Sequence, residues 1–330
     1  MKIPEKALQW IRGGKSFLIL GHKGPDGDCL GSMSAFLGLV RKAGGEGRLL
    51  LEKSPPGWFD FLPGLEGAQV WEERPELPEA EVLVLLDCHR LSRVGAPGKA
   101  LEGRGGKVLV MDHHRDEGDF PPGFESVRVL DPSAAATALL VLDLFRSMEV
   151  KPSPDEAAAL LTGILTDTNW LQNSNTDQRV FRALDYLHEE CGPSLPSWRI
   201  YDLVFRRYPE GTARLMGKAL SGARLEGEGG KLAYVTVERK DIVGAGFRQF
   251  ESEILTRPLL SMETVAVTAV LYELEEGGVK FSIRSKGGGE ALALARFLGG
   301  GGHPEAAGAE FQGSLREAAD RLLEGWRSLP

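Results

Sequence analysis

Four short stretches of the chain concentrate the side chains that bind divalent cations. The stretch Gly21-His22-Lys23-Gly24-Pro25-Asp26-Gly27-Asp28 places an imidazole and two carboxylates within seven residues. Asp87 closes the apolar run Val82–Leu86, and Asp112-His113-His114 closes the run Val108–Met111. Thr166-Asp167-Thr168-Asn169 ends an apolar-periodic segment that begins near Pro154. Aspartate and histidine are ligands for hard to borderline divalent metals. Each stretch also has a plainer reading. Pro-Asp-Gly is common turn and cap chemistry, and Asp87 could cap a following helix. Either histidine could be a satisfied core residue, although two adjacent histidines beside an aspartate are hard to explain by packing. Asp167 could be an ordinary helix end, although the dipole opposes a carboxylate there. A cation would remove that objection. Taken together, His22, Asp26, Asp28, Asp87, His113 and Asp167 offer two imidazoles and four carboxylates. Four negative charges balance two divalent ions. Two ions roughly 3.5–4 Å apart activate water for phosphoester cleavage. Without metal the carboxylates repel one another, so metal is expected to stabilise the fold. His89 is expected at the surface or just behind the ligands, and Cys88 in the packing.

These residues need a scaffold that brings strand ends together. Phe17–Leu20, Arg48–Leu51, Val82–Leu86 and Val108–Met111 are continuous apolar runs separated by helix-like segments. That pattern predicts parallel strands buried on both faces, whose ligands bind beyond the carboxyl ends. Helices are predicted up to about Ala43, over Ala134–Met148, over Pro154–Thr166 with Ser153 as cap, over Thr176–Glu190 and over Trp198–Gly222. After Glu226–Gly230 the runs Leu232–Val237, Val265–Leu274 and Val279–Ile283 read as strands, with a hairpin at Glu275–Gly278. Helices follow at Ala291–Leu298 and Ser314–Leu329. The expected fold class is α/β. A parallel-sheet domain with helices on both faces spans 1–190, a helical connector 191–215, and a smaller α/β substrate domain 216–330. Arg199, Arg206, Arg207, Arg214, Lys218 and Arg224 give the connector region a basic surface.

Composition narrows the classes. In 330 residues, 42% hydrophobic and 26% charged side chains is the balance of a soluble chain too long for one small core. No apolar stretch approaches the roughly 18 residues that span a bilayer, and MKIPEKALQW lacks the apolar core of a secretory signal. The three cysteines form no CxxC pair, so a reducing cytoplasm is the expected compartment. The net charge of -8 lowers the expectation of a protein that tracks long nucleic acid, but leaves room for a short nucleotide substrate.

The motifs together resemble a known family. PDGDCLGS, the strand-end Asp87, Asp112-His113-His114 and the LTDT of 165–168 look like the four motifs of the DHH phosphoesterase superfamily, in order. GGGGHPEAAG at 299–308, preceded by FSIRSK at 281–286, resembles the signature of the DHH-associated substrate domain. The resemblance spans about 15–313, and the length is most similar to the bacterial nanoRNase and pAp-phosphatase branch. It implies that His22, Asp26 and Asp87 hold one ion and that Asp28, Asp87, His113 and Asp167 hold another, with Asp87 bridging. The implied metal is manganese, with magnesium or cobalt as substitutes. His114 would face the scissile phosphate, and Asp112 would orient the histidine pair. His114, Asp87 and Asp112 are thus the implied catalytic set. In the smaller domain Gly300, Gly301 and Gly302 would let backbone approach a phosphate, His303 would add a donor, and Arg284 and Lys286 would bind a phosphate at the far end of the substrate. Read alone, the glycine run could be a flexible loop and Arg284 a solvated strand residue. The stretches 168–173 and 241–264 depart from the family pattern and bear on base or chain-length preference.

The implied function is hydrolysis of very short oligoribonucleotides to mononucleotides, with dephosphorylation of 3′-phosphoadenosine 5′-phosphate (pAp) to AMP. The partners are short RNA, dinucleotides and pAp, without a membrane. A RecJ-like exonuclease on single-stranded DNA and a cyclic- or linear-dinucleotide phosphodiesterase are the alternatives within the superfamily. A family II pyrophosphatase shares the metal motifs but not the GGGH signature. A nucleotide-binding regulator without activity is expected to have lost ligands, and none is missing here. A homodimer is the default oligomer on general grounds alone.

Overall fold

The computed structural model describes residues 3–114, 123–247 and 250–329. Residues 248 and 249, part of the divergent stretch 241–264, lie outside the described residues. The chain divides into two compact units, Met1–Arg206 and Arg207–Pro330.

In the first unit β1 (Ser16–Leu20), β2 (Glu46–Leu51), β3 (Gln69–Val70), β4 (Val82–Leu86), β5 (Gly106–Asp112) and β6 (Phe124–Leu130) form one sheet in the order β3-β2-β1-β4-β5-β6. All of its pairings are parallel. Along β1 and β4 alternate side chains enter different cores: Phe17, Ile19, Val82, Val84 and Leu86 one, Leu18, Leu20, Leu83 and Leu85 the other. Both faces are therefore buried, which is why these strands read as unbroken apolar runs. The order reverses between β1 and β4, and in such doubly wound sheets the crevice beyond the strand ends at that point binds ligands. The strand ends there lead into His22 and Asp87.

The helices Gly27–Lys42, Thr137–Ser147 and Pro154–Asp167 pack against one another on the larger core. Pro154–Asp167 starts with a reciprocal Ser153/Glu156 capping box. Two of these helices meet backbone to backbone. A β-carbon on Gly31 would lie 2.4 Å from the carbonyl oxygen of Ala159 and 3.0 Å from the nitrogen of Gly163. Only glycine fits this crossing.

The expected single helix Trp198–Gly222 is two helices, Ser197–Phe205 and Thr212–Ser221. Pro209 lies between them; proline lacks the N–H and disfavours helical backbone in the residue before it. Ser197–Phe205 packs against Pro154–Asp167, and Thr212–Ser221 packs in the second unit. The basic residues of this segment are thus divided between the units.

In the second unit β7 (Arg224–Glu226), β8 (Leu232–Val237), β9 (Val267–Glu273), β10 (Val279–Ser285), β11 (Gly301–Gly302) and β12 (Ala306–Phe311) form a sheet in the order β11-β12-β10-β9-β8-β7. Only β8 and β9 pair in parallel. Its two faces carry separate apolar clusters, one around Phe281 and Leu294, the other around Val235 and Leu255. Among the described residues no helix is long and apolar enough to cross a membrane.

Replacing Gly31 by alanine must push the two crossing helices apart. We expect Gly31→Ala to lower the unfolding free energy by about 1–3 kcal/mol, read from the urea midpoint at unchanged slope.

Candidate metal centre

Asp87 follows β4 and is 3% exposed, with its backbone in the left-handed region at φ 58°. Its N–H donates to the carbonyl of Met111 on the neighbouring strand (3.0 Å). The sheet thus sets the backbone, and the unusual φ turns the side chain out of the strand's alternation. Aspartate tolerates this region better than most residues. Its Oδ2 lies 3.3 Å from Nε2 of His22, and its Oδ1 lies 3.5 Å from Nε2 of His113. One carboxylate therefore faces two imidazoles with its two oxygens.

Both imidazoles have their tautomer set by a carbonyl, which can only accept. Nδ1–H of His22 donates to the Lys23 carbonyl (3.0 Å), and Nδ1–H of His113 to the Ala134 carbonyl (3.2 Å). Each Nε2 is then the ring nitrogen aimed at the carboxylates, and it is the one that would ligate a metal once its proton is displaced. Nε2 of His113 also lies 3.4 Å from Oδ2 of Asp167. Donor atoms of His22, Cys29 and Asp87 fall within 4.8 Å of one another, as do those of Asp28, His113 and Asp167. Cys29 is fully buried, and burial holds its thiol well above the usual range, so it contributes packing.

Asp26 and Asp28 divide the work of their motif. Asp26 caps the Gly27–Lys42 helix through Oδ1, which accepts from the N–H groups of Asp28 (3.0 Å) and Cys29 (3.1 Å). The cap reading of this motif is therefore realised, and the same oxygen lies 3.9 Å from Nε2 of His22. Asp28 is 1% exposed and accepts from the N–H groups of Thr137 (2.6 Å) and Ala138 (2.9 Å) at the start of the Thr137–Ser147 helix. Anions are stabilised at such N-termini. Thr137 closes the set, since its hydroxyl donates to Oδ1 of Asp87 (3.0 Å). The sequence offered little to mark Thr137: it stands in an alanine-rich stretch that reads as helix interior.

Asp112 is buried and bridges two other histidines. Nδ1 of His114 donates to its Oδ1 (2.7 Å), and Nδ1 of His89 to its Oδ2 (2.5 Å). Burial opposes the charge of Asp112, but these bonds outweigh it and hold the carboxyl well below the usual range. Of the two places that the sequence leaves open for His89, the structure shows the inner one: its side chain is 10% exposed and bonds to Asp112.

The residues after Asp167 form a left-handed turn, with φ of 46° at Asn169, 58° at Trp170 and 66° at Leu171. The turn packs the Trp170 ring edge-on against Tyr201 (4.9 Å) and Phe205 (5.6 Å). Asn173 and Asn175 donate to the Asp167 carbonyl.

The remaining expected residues lie in the second unit. Arg284 on β10 donates to Glu253 (3.3 Å), and the Lys286 ammonium to the Met262 carbonyl (2.6 Å). Gly300, Gly301, Gly302 and His303 form a tight exposed hairpin with β12. A β-carbon on Gly300 would lie 2.1 Å from the Gly308 carbonyl, and Gly302 has φ 141°. Backbone packing alone therefore demands two of the three glycines; Gly301 faces open space. A second run, Gly287–Gly289, has left-handed φ of 128°, 73° and 82° and was not singled out from the sequence.

Residues 16–164 match the DHH family, N-terminal domain, and residues 229–327 the DHHA1 domain. The chain is 35% identical over 99% of its length to "Bifunctional oligoribonuclease and PAP phosphatase NrnA" of Thermus thermophilus, covering 93% of that protein. The chain belongs to the DHH family. Within it, the chain is also 29% identical to "Cyclic-di-AMP phosphodiesterase GdpP" of Geobacillus thermodenitrificans over 93% of its own length, which is 48% of that protein. The solved structure of an exopolyphosphatase-related protein from Bacteroides fragilis shares the fold, with a TM-score of 0.89 at 24% identity over 98% of this chain and 95% of that one. The donor set of this DHH chain, imidazole nitrogens with carboxylate oxygens, fits divalent cations.

Burial and mutual repulsion raise the carboxyl groups. Burial and then the charge of Asp26 push Asp28 up to about 7. Burial and then the charge of Asp28 push Asp87 up to about 6. Asp167 rises well above the usual range through burial and the charges of Asp28, Asp26 and Asp87. Burial opposes the charge of His22, but Asp26 and Asp87 outweigh it and push its pKa up to about 11. Groups raised in the folded state stabilise it at low pH and lose that contribution as pH rises. Asp28 and Asp87 lose theirs from about pH 4 to 7, and His22 from about 6.5 to 11. Burial raises Asp26, but His22 outweighs it and holds the group down to about 2. That opposite effect falls below pH 4, and the side chain is 58% exposed and screened. The chelated protein should therefore melt at a lower temperature at pH 8 than at pH 5, and added divalent cation should restore more at pH 8. Melting curves in chelator and in manganese at both pH values check this; a melting temperature indifferent to metal would refute it.

Proposed function

We propose that the chain is a two-metal phosphoesterase that cleaves very short oligoribonucleotides to mononucleotides and removes the 3′ phosphate of pAp to give AMP. The observation that carries the reading is Asp87, whose two oxygens each face Nε2 of a different histidine. His22, Asp26 and Asp87 would hold one cation, and Asp28, Asp87, His113 and Asp167 the other. Manganese suits mixed imidazole and carboxylate donors, with magnesium or cobalt as substitutes. Cations held there would supply positive charge to a phosphate and acidify water. The chain's own groups do the rest. Asp112 fixes the His114 ring through Nδ1, so the ring meets the phosphate through Nε2 and stabilises charge developing on its oxygens. Thr137 holds Asp87 in register.

The substrate class rests on the likeness to the Thermus protein, whose name states both activities. Arg284, Lys286, the Gly300–Gly302 backbone and His303 would bind a second phosphate of the substrate. The net charge of -8 agrees with few phosphate contacts.

Digestion of end-labelled RNA of graded length, long single-stranded DNA, cyclic dinucleotides and pAp in manganese tests this reading. Rapid loss of dimers to tetramers and phosphate release from pAp are expected, with slow attack on long chains. Fast stepwise loss of the DNA would replace the reading with an exonuclease, and preferential loss of cyclic dinucleotides with a cyclic-dinucleotide phosphodiesterase. Asp87→Ala should reduce turnover by at least about 1000-fold, since it removes one ligand from each cation. Full activity of that variant would refute the two-metal arrangement.

A further inference from the structure

Among the described residues, the proposed metal ligands and their orienting groups leave one buried imidazole at the site, that of His89, unused. His89 follows Asp87 by two residues, and only 10% of its side chain is exposed. Its Nδ1 lies 2.5 Å from Oδ2 of Asp112. The other Asp112 oxygen accepts from Nδ1 (2.7 Å) and from the backbone N–H (3.0 Å) of His114. Three side chains thus form a line, imidazole–carboxylate–imidazole, that ends at His114.

We infer that His89 is a positioning residue for the reaction, acting through Asp112 to fix the orientation of His114. The inference rests on the phosphoesterase reading for its kinetic consequence, but not for its geometry. A carboxylate at the end of a strand can rotate about its χ2 bond. Bonds to His114 alone would hold one oxygen and leave the other without a side-chain donor in a buried place, which is unfavourable for a buried acceptor. The His89 N–H satisfies that second oxygen, so the carboxylate plane is pinned at both ends and the His114 ring inherits its direction.

A packing role for His89 is the alternative, and one atom argues against it. Nε2 of His89 is buried and makes no hydrogen bond among the described residues. An apolar ring would avoid burying that nitrogen. The position therefore carries a penalty that packing does not explain, while the donor at Nδ1 has a use.

The test compares His89→Phe, which keeps a ring and removes the donor, with His89→Asn, which keeps a donor near the place of Nδ1. Wild-type protein and both variants are assayed in manganese on an RNA dinucleotide. Manganese affinity is measured by calorimetry. The ring nitrogen signals of His114 are followed by NMR in the metal-free, histidine-labelled proteins. For His89→Phe we expect kcat to fall about 10–100-fold, with KM and manganese affinity within about twofold of wild type and the His114 signals shifted. His89→Asn should recover most of kcat and return the His114 signals toward wild type. Unshifted His114 signals and wild-type kcat in His89→Phe would overturn the inference. So would equal impairment of both variants, which would mean that volume, not the donor, matters. If wild-type protein fails to cleave the dinucleotide, the phosphoesterase reading falls, and the NMR comparison still decides the role of His89.

Discussion

A carboxylate buried at the centre of an apolar sheet is costly unless its charge is matched, and Asp87 is such a group. It stands after a strand buried on both faces, in a left-handed backbone conformation, with an imidazole nitrogen opposite each oxygen. Backbone strain of this kind, on the order of 1–3 kcal/mol, persists only where the surroundings over-determine it. Here the bond from its N–H to Met111 fixes the backbone, and the Thr137 hydroxyl fixes the side chain. The repulsion among Asp28, Asp87 and Asp167 is the counterpart: the fold holds together carboxylates whose charge the His22 imidazole and the Thr137–Ser147 helix N-terminus offset only in part. The ligand geometry therefore stores an affinity for cations, which folding keeps in place through helix packing.

That packing is unusually close. Glycines at 31 and 163 let the Gly27–Lys42 and Pro154–Asp167 helices meet at backbone distance, and a β-carbon on Gly163 would also press on Asp28 at 2.8 Å. Asp28 and Asp167 are carried by these two helices, so the crossing sets their separation. The Thr137–Ser147 helix enters with its N-terminus pointing at Asp28, where two free N–H groups accept the role of counter-charge. The side chains proposed as ligands are held by several physical devices: a cap for Asp26, a helix N-terminus for Asp28, a strand end for Asp87, and a carbonyl bond at Nδ1 for both His22 and His113.

The second unit solves a different problem with glycine. Left-handed φ at Gly287–Gly289 and Gly302, and the close approach of Gly300 to Gly308, shape two stretches of backbone without side chains, one shortly after β10 and one in the hairpin with β12. Arg284 and Lys286 already have partners there, in Glu253 and in the Met262 carbonyl.

Much of this was legible in residue type and order. Continuous apolar runs at 17–20, 82–86 and 108–111 announce parallel strands, because burial on both faces removes the polar alternation. Aspartate and histidine at the ends of those runs announce a shared cluster, because buried charge needs a counter-charge. Ser153 and Pro154 mark a helix start by local capping chemistry alone. What the sequence could not decide depends on chain segments far apart. The break at Pro209 was local and readable, yet the helical pattern around it hid the division between units. The strand order that places β1 beside β4 comes from packing, not from any local signal. The role of Thr137 depends on a partner 50 residues away, and that of His89 on one 23 residues away. A hydroxyl or an imidazole looks the same in sequence whether it faces solvent or a buried carboxylate. The tertiary fold alone brings the carboxylate to it, and so the fold alone decides what the residue does.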